Sequence, residues 1–294
     1  MNTIGTAAGV TTQVYRNKYR LATLDKLLRK ALIAEKISSV DRTAAKTITN
    51  PYSSQPTTTV QAIAGTYATA AFTLTDETFT VADEFIVAEH VLDFENSLSN
   101  FDVFANRVDE MNYSMLTAID KFVLNEILEQ ADTTTYTTPV GGFTTAANIN
   151  VIISNLLSKV AGYAETYNGL YLVIENTDIP GFVQAGATNG FNFADRVLNN
   201  GFIGNYMGVD IYVARTGTFV DASTSTASGS KTWTNAGHRL FGVKNMSTFA
   251  FPRGIQAEEL LVTTKTGKEL RTFCYAGVML WATKVALTVD ITLA

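Results

Sequence analysis

The sequence predicts a mixed α+β fold, in which a strand-rich region, one long helix and a region of alternating helices and strands follow one another. Three patterns support this prediction. Apolar residues alternate with polar ones between 72 and 81, recur at helical spacing between 104 and 127, and form short runs between helical segments after residue 147. With 294 residues, 46% of them apolar, the chain is long enough to bury a sizeable core.

The composition excludes several classes of protein. A single cysteine, Cys274, allows neither an intrachain disulfide framework nor a cysteine-based metal cage. The N-terminus lacks the pattern of a signal peptide, and no run of about 18 apolar residues predicts a membrane span. Charged residues make up only 17% of the chain, which suits a protein that covers much of its surface with neighbours.

Charge is distributed unevenly along the chain. Residues 1–46 contain nine basic and three acidic residues, a net charge of +6. Residues 76–132 contain fourteen acidic residues against Arg107 and Lys121, a net charge of −12. A basic arm therefore precedes an acidic body.

The basic arm contains one predicted helix, from about Tyr19 to Lys36. Its leucines recur at helical spacing while basic residues occupy the other faces. The helix either packs on its own domain or docks on a partner subunit. Asp25 and Glu35 interrupt the basic face and argue against a third interpretation, a helix that lies on a membrane surface.

A β-hairpin is predicted next. Phe72 and Leu74 precede the segment 75–78, whose polar residues are typical of a turn, and Phe79 and Val81 follow it. This pattern gives the hairpin one apolar face. A lone hairpin is only marginally stable in water, so this face needs a neighbour to cover it.

The clearest element is a helix from about Phe101 to Ala131, which follows the cap candidates Ser97, Ser99 and Asn100. At about 1.5 Å per residue, thirty residues span roughly 45 Å, which is long for a domain of this size. Its apolar stripe consists of Phe104, Val108, Met111, Met115, Ile119, Phe122, Val123 and Ile127.

The second half begins with a helix at about 147–166, and its alternation of helices and strands fits an α/β or an α+β core. A short helix opens at Asp178, and residues 216–237, rich in Gly, Ser and Thr, are predicted to form an exposed loop. Strands are predicted at 170–174, 209–214, 240–243, 248–251, 260–264, 272–283 and 285–293.

No catalytic, cofactor or metal site is predicted. His90 and His238 lie far apart without metal-ligand spacing, and Cys274 lies in an apolar strand, where a buried and inert thiol is expected. Adjacent carboxylates such as Asp109 and Glu110 diverge on a helix rather than converge on a substrate. The acidic body disfavours specific nucleic-acid binding and leaves only nonspecific contact with DNA through the arm.

Two motifs and the order of the elements resemble the HK97-fold major capsid proteins of tailed bacteriophages. Residues 200–213 resemble the turn and strand NG-x-IG-x-x-x-GV-x-x-Y that is frequent in that family. In residues 268–294, the sequence Tyr275-Ala276-Gly277-Val278 resembles the aromatic, small and glycine step before the family's last strand. The similarity of layout extends over almost the whole chain.

The resemblance implies a specific division of the chain into five segments. In sequence order they are an N-terminal arm (1–43), an E-loop hairpin (44–92) with Asp76 and Glu77 at its tip, the spine helix with the first part of the P domain (93–167), an A domain (168–260), and C-terminal strands that return to the P domain (261–294).

The implied function is that of a structural shell subunit without enzymatic activity. It would assemble with itself into hexamers and pentamers of an icosahedral shell around double-stranded DNA. A separate scaffolding protein and a portal would be its partners, and it would be made in the host cytoplasm and reside in the virion. A tail or decoration component is the alternative. No lysine lies between Lys46 and Lys121, so the E-loop cannot supply the amine for the family's isopeptide cross-link.

The expected contacts between subunits combine apolar burial with attraction of the +6 arm to the −12 region of a neighbour. Deletion of residues 1–36 is expected to abolish assembly and to leave the monomer folded. The candidate interface residues are Arg16, Lys18, Arg20, Lys26, Arg29, Lys30, Phe72, Leu74, Asp76, Glu77, Phe79 and Val81.

Overall fold

The computed structural model describes residues 32–43, 45–53, 60, 63, 65, 72–91, 103–131, 134–160, 169–188, 202–226, 229–261 and 267–294. Helices and strands are both abundant, which confirms the predicted α+β class.

Four α-helices lie in the described residues: α1 (Ala34–Ile37), α2 (Val103–Gln130), α3 (Ala146–Val160) and α4 (Ile179–Thr188). Short 3-10 helices cover Gly142–Thr144, Asn176–Asp178 and Ala282–Leu287. The strands are β1 (Ser39–Asp41), β2 (Thr47–Ser53), β3 (Leu74–Thr80), β4 (Asp83–Val91), β5 (Thr135–Thr137), β6 (Leu170–Glu175), β7 (Phe202–Tyr206), β8 (Val209–Ala214), β9 (Asp221–Thr226), β10 (Gly229–Thr234), β11 (His238–Val243), β12 (Ser247–Ala250), β13 (Gln256–Leu261), β14 (Lys268–Leu280) and β15 (Thr288–Thr292).

A six-stranded mixed sheet has the strand order β5-β15-β11-β6-β8-β7. Its strand β6 is buried along its whole length, which explains why its sequence is an uninterrupted apolar run. Leu172 and Ile174 pack in a core with α3 and α4, whereas Tyr171 and Val173 belong to the core that contains α2. This sheet therefore lies between α2 on one face and the pair α3 and α4 on the other.

The second sheet is organised around β14. Residues 268–276 of this strand pair with β4, residues 268–273 pair with β13 on the opposite edge, and residues 277–280 pair with β12. Strand β1 then adds to β12 in parallel. One face of β14 packs against α2 through Cys274 and Ala276.

The predicted long helix is confirmed as α2, which begins and ends close to the predicted residues; Phe101 and the cap candidates lie outside the described residues. Met115, Ile119, Val123 and Ile127 of the predicted stripe are buried. Its polar residues Asp120, Asn125 and Glu126 are buried as well, which shows that the helix is contacted from several sides.

Asp120 connects α2 to the residues that follow the basic arm. Its two carboxylate oxygens accept the backbone N–H groups of Ile33 and Ala34 at 3.1 Å each, and so cap α1, whose own N-cap residue provides no side-chain bond. Leu32, Ile33 and Ile37 are buried in the core around α2. A deletion of residues 1–36 would remove Leu32 and Ile33 from this core, so a truncation that tests the arm alone must end at residue 31.

The prediction of an exposed loop over residues 216–237 is wrong. Strands β9 and β10 form an antiparallel ribbon there, and Phe219 and Trp233 at its base are buried. Serine and threonine provide no apolar pattern, and the ribbon is ordered by pairing between its strands and by contacts of its base with α2, which local composition does not reveal.

The turn predicted at 75–78 is also wrong, because Leu74–Thr80 is one continuous strand. It pairs with β2, 20 residues earlier in the chain, so Asp76 and Glu77 lie within a strand rather than at a tip. In a continuous strand, residues 74 and 79 point to opposite faces. The predicted common apolar face of Phe72, Leu74, Phe79 and Val81 therefore does not exist.

Three strand boundaries near the C-terminus differ from the predictions. The predicted strand 260–264 belongs to β13, which already begins at Gln256, and residues 262–264 lie outside the described residues. Strand β14 begins at Lys268, four residues before the predicted start at 272. A 3-10 helix, Ala282–Leu287, occupies the start of the predicted strand 285–293. Pairing with β4, which is distant in sequence, and with the preceding strand β13 extends β14 beyond its apolar run.

Replacement of Asp120 by alanine is expected to lower the free energy of unfolding by about 2–4 kcal/mol, because two buried N–H donors lose their acceptor. Urea denaturation measures this difference. Asp109→Ala is the matched control, since Asp109 is exposed on the same helix and its loss should change stability by less than about 0.5 kcal/mol. Equal effects of the two substitutions would contradict the capping role of Asp120.

Candidate subunit interface

The predicted interface residues fall into two groups. The basic residues of the arm, Arg16 to Lys30, lie outside the described residues, and their role stays a prediction. Those between Phe72 and Val81 lie on or beside β3, which forms an antiparallel hairpin with β2. Residues 54–73 connect the two strands, and only a few positions of this connection are described.

The hairpin has two different faces. Ile48, Tyr52, Glu77 and Phe79 are partly buried on the face that points toward the body. The opposite face is exposed along the whole length of both strands and includes Leu74 and Asp76. Of the predicted apolar set, Phe79 therefore contacts the protein's own body, whereas Leu74 does not.

Phe79 and Glu77 attach the hairpin to the body. The ring of Phe79 lies over Gly277 of β14, where a Cβ atom would come within 2.6 Å of the Phe79 Cζ atom. The carboxylate of Glu77 accepts the backbone N–H of Ala282 at 3.0 and 3.2 Å. The glycine in the motif Tyr275-Ala276-Gly277-Val278 thus provides the space for an aromatic ring from another strand.

Apolar side chains beyond this attachment face solvent. Phe72 is 77% exposed and Leu74 is 57% exposed, and the described positions Val60 and Ile63 in the connection are almost fully exposed. Large apolar side chains clustered in one segment of a soluble chain are typical of a surface that binds another molecule.

A second exposed surface lies on the face of β4, β14 and β13 that points away from α2. Ile86, Phe273, Tyr275 and Leu260 contribute apolar side chains to it, and the rings of Phe273 and Tyr275 are in contact. On the same face, the Arg271 Nε atom is buried without a hydrogen-bond partner among the described residues. We call these residues the outer sheet face.

The base of the β9–β10 ribbon is fixed to α2 by polar contacts that the sequence did not indicate. Asn125 donates to the Thr218 carbonyl at 2.8 Å and accepts from the Asn235 amide at 3.1 Å. The indole N–H of Trp233 donates to Glu126 at 2.8 Å, and the Trp233 ring packs edge-on against Phe122. These partners are about 90 to 110 residues apart, so no local pattern could have identified them.

A buried ionic cluster holds the loop before the ribbon. Arg239 donates from Nε and Nη2 to the two oxygens of Asp178, at 2.5 and 3.3 Å. Glu175 Oε1 accepts the consecutive backbone N–H groups of residues 217, 218 and 219 at 3.0–3.3 Å. Such donors compensate the cost of burying two carboxylates beside one guanidinium. The cluster is therefore a structural connection between β6, β11 and the loop.

Two of the residues considered for chemistry, His238 and Cys274, have structural environments, whereas the His90 Nε2 atom is buried without a hydrogen-bond partner among the described residues. His238 Nδ1 lies 2.8 Å from the carboxylate of Asp290, which connects β11 and β15. Burial, with a contribution from the charge of Glu84, raises the pKa of the Cys274 thiol to about 12, so the thiol stays protonated at neutral pH. In the described part of the chain, no three His, Cys, Asp or Glu side chains come together in a metal-binding group.

Replacement of Gly277 by alanine is expected to displace Phe79 and to loosen the hairpin, because the new Cβ would overlap the ring. Hydrogen–deuterium exchange should then become faster in residues 47–53 and 74–80, since a detached hairpin is only marginally stable. In a background that already contains Phe79→Ala, the glycine substitution should add little. Unchanged exchange in the single variant would contradict this attachment.

No protein-family model matches the sequence, and none of the curated proteins compared with it matches either. No helix among the described residues has the length and hydropathy needed to cross a membrane.

Solved structures of phage capsids resemble the chain closely in fold. The capsid structure of cyanophage P-SCSP1u aligns with a TM-score of 0.69 at 14% identity, covering 91% of this chain and 89% of that one. The mature capsid of bacteriophage PhiM1 gives 0.66 at 11% identity over 90% and 87%. The capsid of an empty GTA particle gives 0.62 at 15% identity over 91% of each chain. At this identity the likeness establishes the fold, and the chain therefore has the HK97-like α+β fold of phage capsid proteins.

Proposed function

We propose that this chain is a major capsid protein, a structural subunit without enzymatic activity that assembles with copies of itself into an icosahedral shell around double-stranded DNA. One observation carries the proposal. The fold is shared with phage and GTA capsids over about nine-tenths of both chains. A fold alone does not determine a function, so the exposed surfaces supply the second argument.

The exposed hairpin is the feature that a shell subunit requires. Its root is attached to the body by Phe79 and Glu77, and only two residues separate β3 from β4. Phe72 and Leu74 lie beyond this attachment, away from the body. Burying each of these side chains contributes about 1.5–3 kcal/mol. In the proposed shell, a neighbouring subunit provides the surface that covers them.

The outer sheet face is the surface that we assign to this contact. It exposes Ile86 and Tyr275 in the same copy. A contact between two different surfaces repeats from copy to copy, and it closes into a ring when the rotation between copies divides a full turn. Hexamers and pentamers of the proposed shell are such rings.

The proposed division of the chain follows the same fold. Residues 1–43 would form the arm, 44–92 the E-loop, 93–167 the spine helix and first part of the P domain, 168–260 the A domain, and 261–294 the strands that return to the P domain. The E-loop then corresponds to the region that contains β2, β3 and β4, and the spine helix corresponds to α2.

The structure limits the attraction expected between the basic arm and the acidic region. Several acids of residues 76–132 have partners within the chain: Glu77 bonds to Ala282, Asp120 caps α1, and Glu89 and Glu110 bind Arg107. Asp76 and Asp109 remain exposed. In the proposed shell, the arm of a neighbour would meet this smaller set of acids, and its remaining charge would be available for nonspecific contact with DNA.

The proposal places the protein in the virion after synthesis in the host cytoplasm, with a separate scaffolding protein and a portal as partners. Apolar and ionic contacts, rather than covalent cross-links, would hold the shell together, since the hairpin contains no lysine. Particles that are tubes or small rings would favour the alternative of a tail or decoration component.

The variant Phe72→Ser/Leu74→Ser is expected to prevent assembly without unfolding the monomer, because both side chains are exposed. Sedimentation velocity and negative-stain electron microscopy measure the fraction of protein in closed particles, and urea denaturation measures stability. Val140→Ser is the matched control, since Val140 is 87% exposed outside the hairpin. Normal particles from the double variant would contradict the assigned role of the hairpin.

A further inference from the structure

A cleft of about 620 Å³ opens where the hairpin joins the body. Residues 45 and 46 before β2 and residues 81 and 82 after β3 form one wall, and a backbone hydrogen bond from Val81 to the Lys46 carbonyl holds them together at 2.8 Å. Pro252, Arg253 and Tyr275 form the other wall. The cleft is thus built from four separate segments of the chain.

Two cationic side chains border this cleft. Lys46 and Arg253 are both exposed, and neither forms a salt bridge or a side-chain hydrogen bond with another described residue. Tyr275, also exposed, adds a phenolic hydroxyl that can donate a hydrogen bond. Glu84 lies opposite Tyr275 on β4, and the buried Asp83 follows Ala82 of the wall. Among the described residues that line the cleft itself, Lys46 and Arg253 are the charged ones. Carboxylates and phosphates are the ligands that this combination of donors binds.

A carboxylate without a described partner lies on the hairpin of the same chain. Asp76 is on the exposed face of β3, opposite Pro51 of β2, whereas its neighbour Glu77 is bound to Ala282. Val81 at the cleft lies five positions after Asp76, which corresponds to about 16 Å along an extended strand. A lysine or arginine side chain cannot span that distance, so Asp76 does not reach the cleft of its own chain.

We propose that the cleft formed by Lys46, Arg253 and Tyr275 binds the Asp76 carboxylate of a second copy of this chain. The contact joins the root of one hairpin to the middle of the next. Each copy therefore provides both a cleft and an Asp76 carboxylate, and the arrangement is head-to-tail. This inference rests on the proposed self-assembly and deepens it, because it names the ionic contact that sets the register of neighbouring hairpins.

Registry, rather than strong binding, is the expected contribution of such a pair. Exposed ion pairs are individually weak and are screened by salt. Apolar burial of Phe72 and Leu74 tolerates small sliding movements, whereas an aspartate between a guanidinium and an ammonium group fixes one position. Loss of the ion pair is therefore expected to raise the protein concentration at which half of the protein is assembled by about fivefold. This concentration should also depend less on salt than it does in the wild type.

A zero-length cross-link tests the contact directly. Treatment of the assembled full-length protein with a carbodiimide should join the Lys46 amine to the Asp76 carboxylate as an amide, and mass spectrometry of the digest should identify the linked peptides. A mixture of isotopically light and heavy protein should show that the link joins two chains. Asp76→Asn should abolish this link, whereas Asp109→Asn, which changes an exposed acid on α2, should retain it.

Charge reversal provides the second arm of the test. Asp76→Arg and Arg253→Asp should each impair assembly, and the double variant Asp76→Arg/Arg253→Asp should restore it. If wild-type particles form but the link is absent, or if the double variant assembles no better than the single ones, this inference is overturned and the proposed function stands. If wild-type protein forms no particles under any condition, both fail. Loss of bound nucleic acid, rather than of assembly, in Arg253→Asp would assign the cleft to phosphate and would also overturn the inference.

Discussion

The long helix α2 buries polar side chains on more than one side, and each of them must find a partner because an unsatisfied polar group in the core is costly. Asp120 meets the backbone of Ile33 and Ala34, Asn125 meets the loop and the end of the ribbon, and Glu126 meets Trp233. Unlike apolar contacts, these hydrogen bonds form only within a narrow range of distance and angle. The segments before the first strand and around the ribbon therefore have one position on the helix.

The consequence is a body whose polar groups are largely engaged within the chain. Arg239 with Asp178, and Glu175 with three backbone N–H groups, fix the loop above the six-stranded sheet in the same way. The hairpin differs, because Phe79 and Glu77 attach it to the body while the outer face of its described strands is exposed. We infer a division of roles, in which the body forms the rigid part of the subunit and the hairpin makes the contact with a neighbouring subunit.

The elements that could be predicted from the sequence are those whose signal is local. The stripe of Met115, Ile119 and Ile127 predicted α2, and the uninterrupted apolar run of β6 predicted a buried strand. The ribbon could not be predicted, because its order comes from Trp233 and Asn235 contacting a helix about 110 residues earlier. The hairpin turn was misplaced because polar residues of the exposed face of β3 have the composition of a turn. The cleft brings together residues 46, 253 and 275, which share no local pattern.

The central claim is that copies of this chain close into a shell through the exposed hairpin. Electron cryomicroscopy of the assembled protein tests it most directly, because a reconstruction resolves both the symmetry of the particle and the neighbour that each hairpin contacts. We expect closed icosahedral particles in which Phe72 and Leu74 of one copy lie on the outer sheet face of the next. Particles in which these side chains face solvent, or assemblies without icosahedral closure, would contradict it.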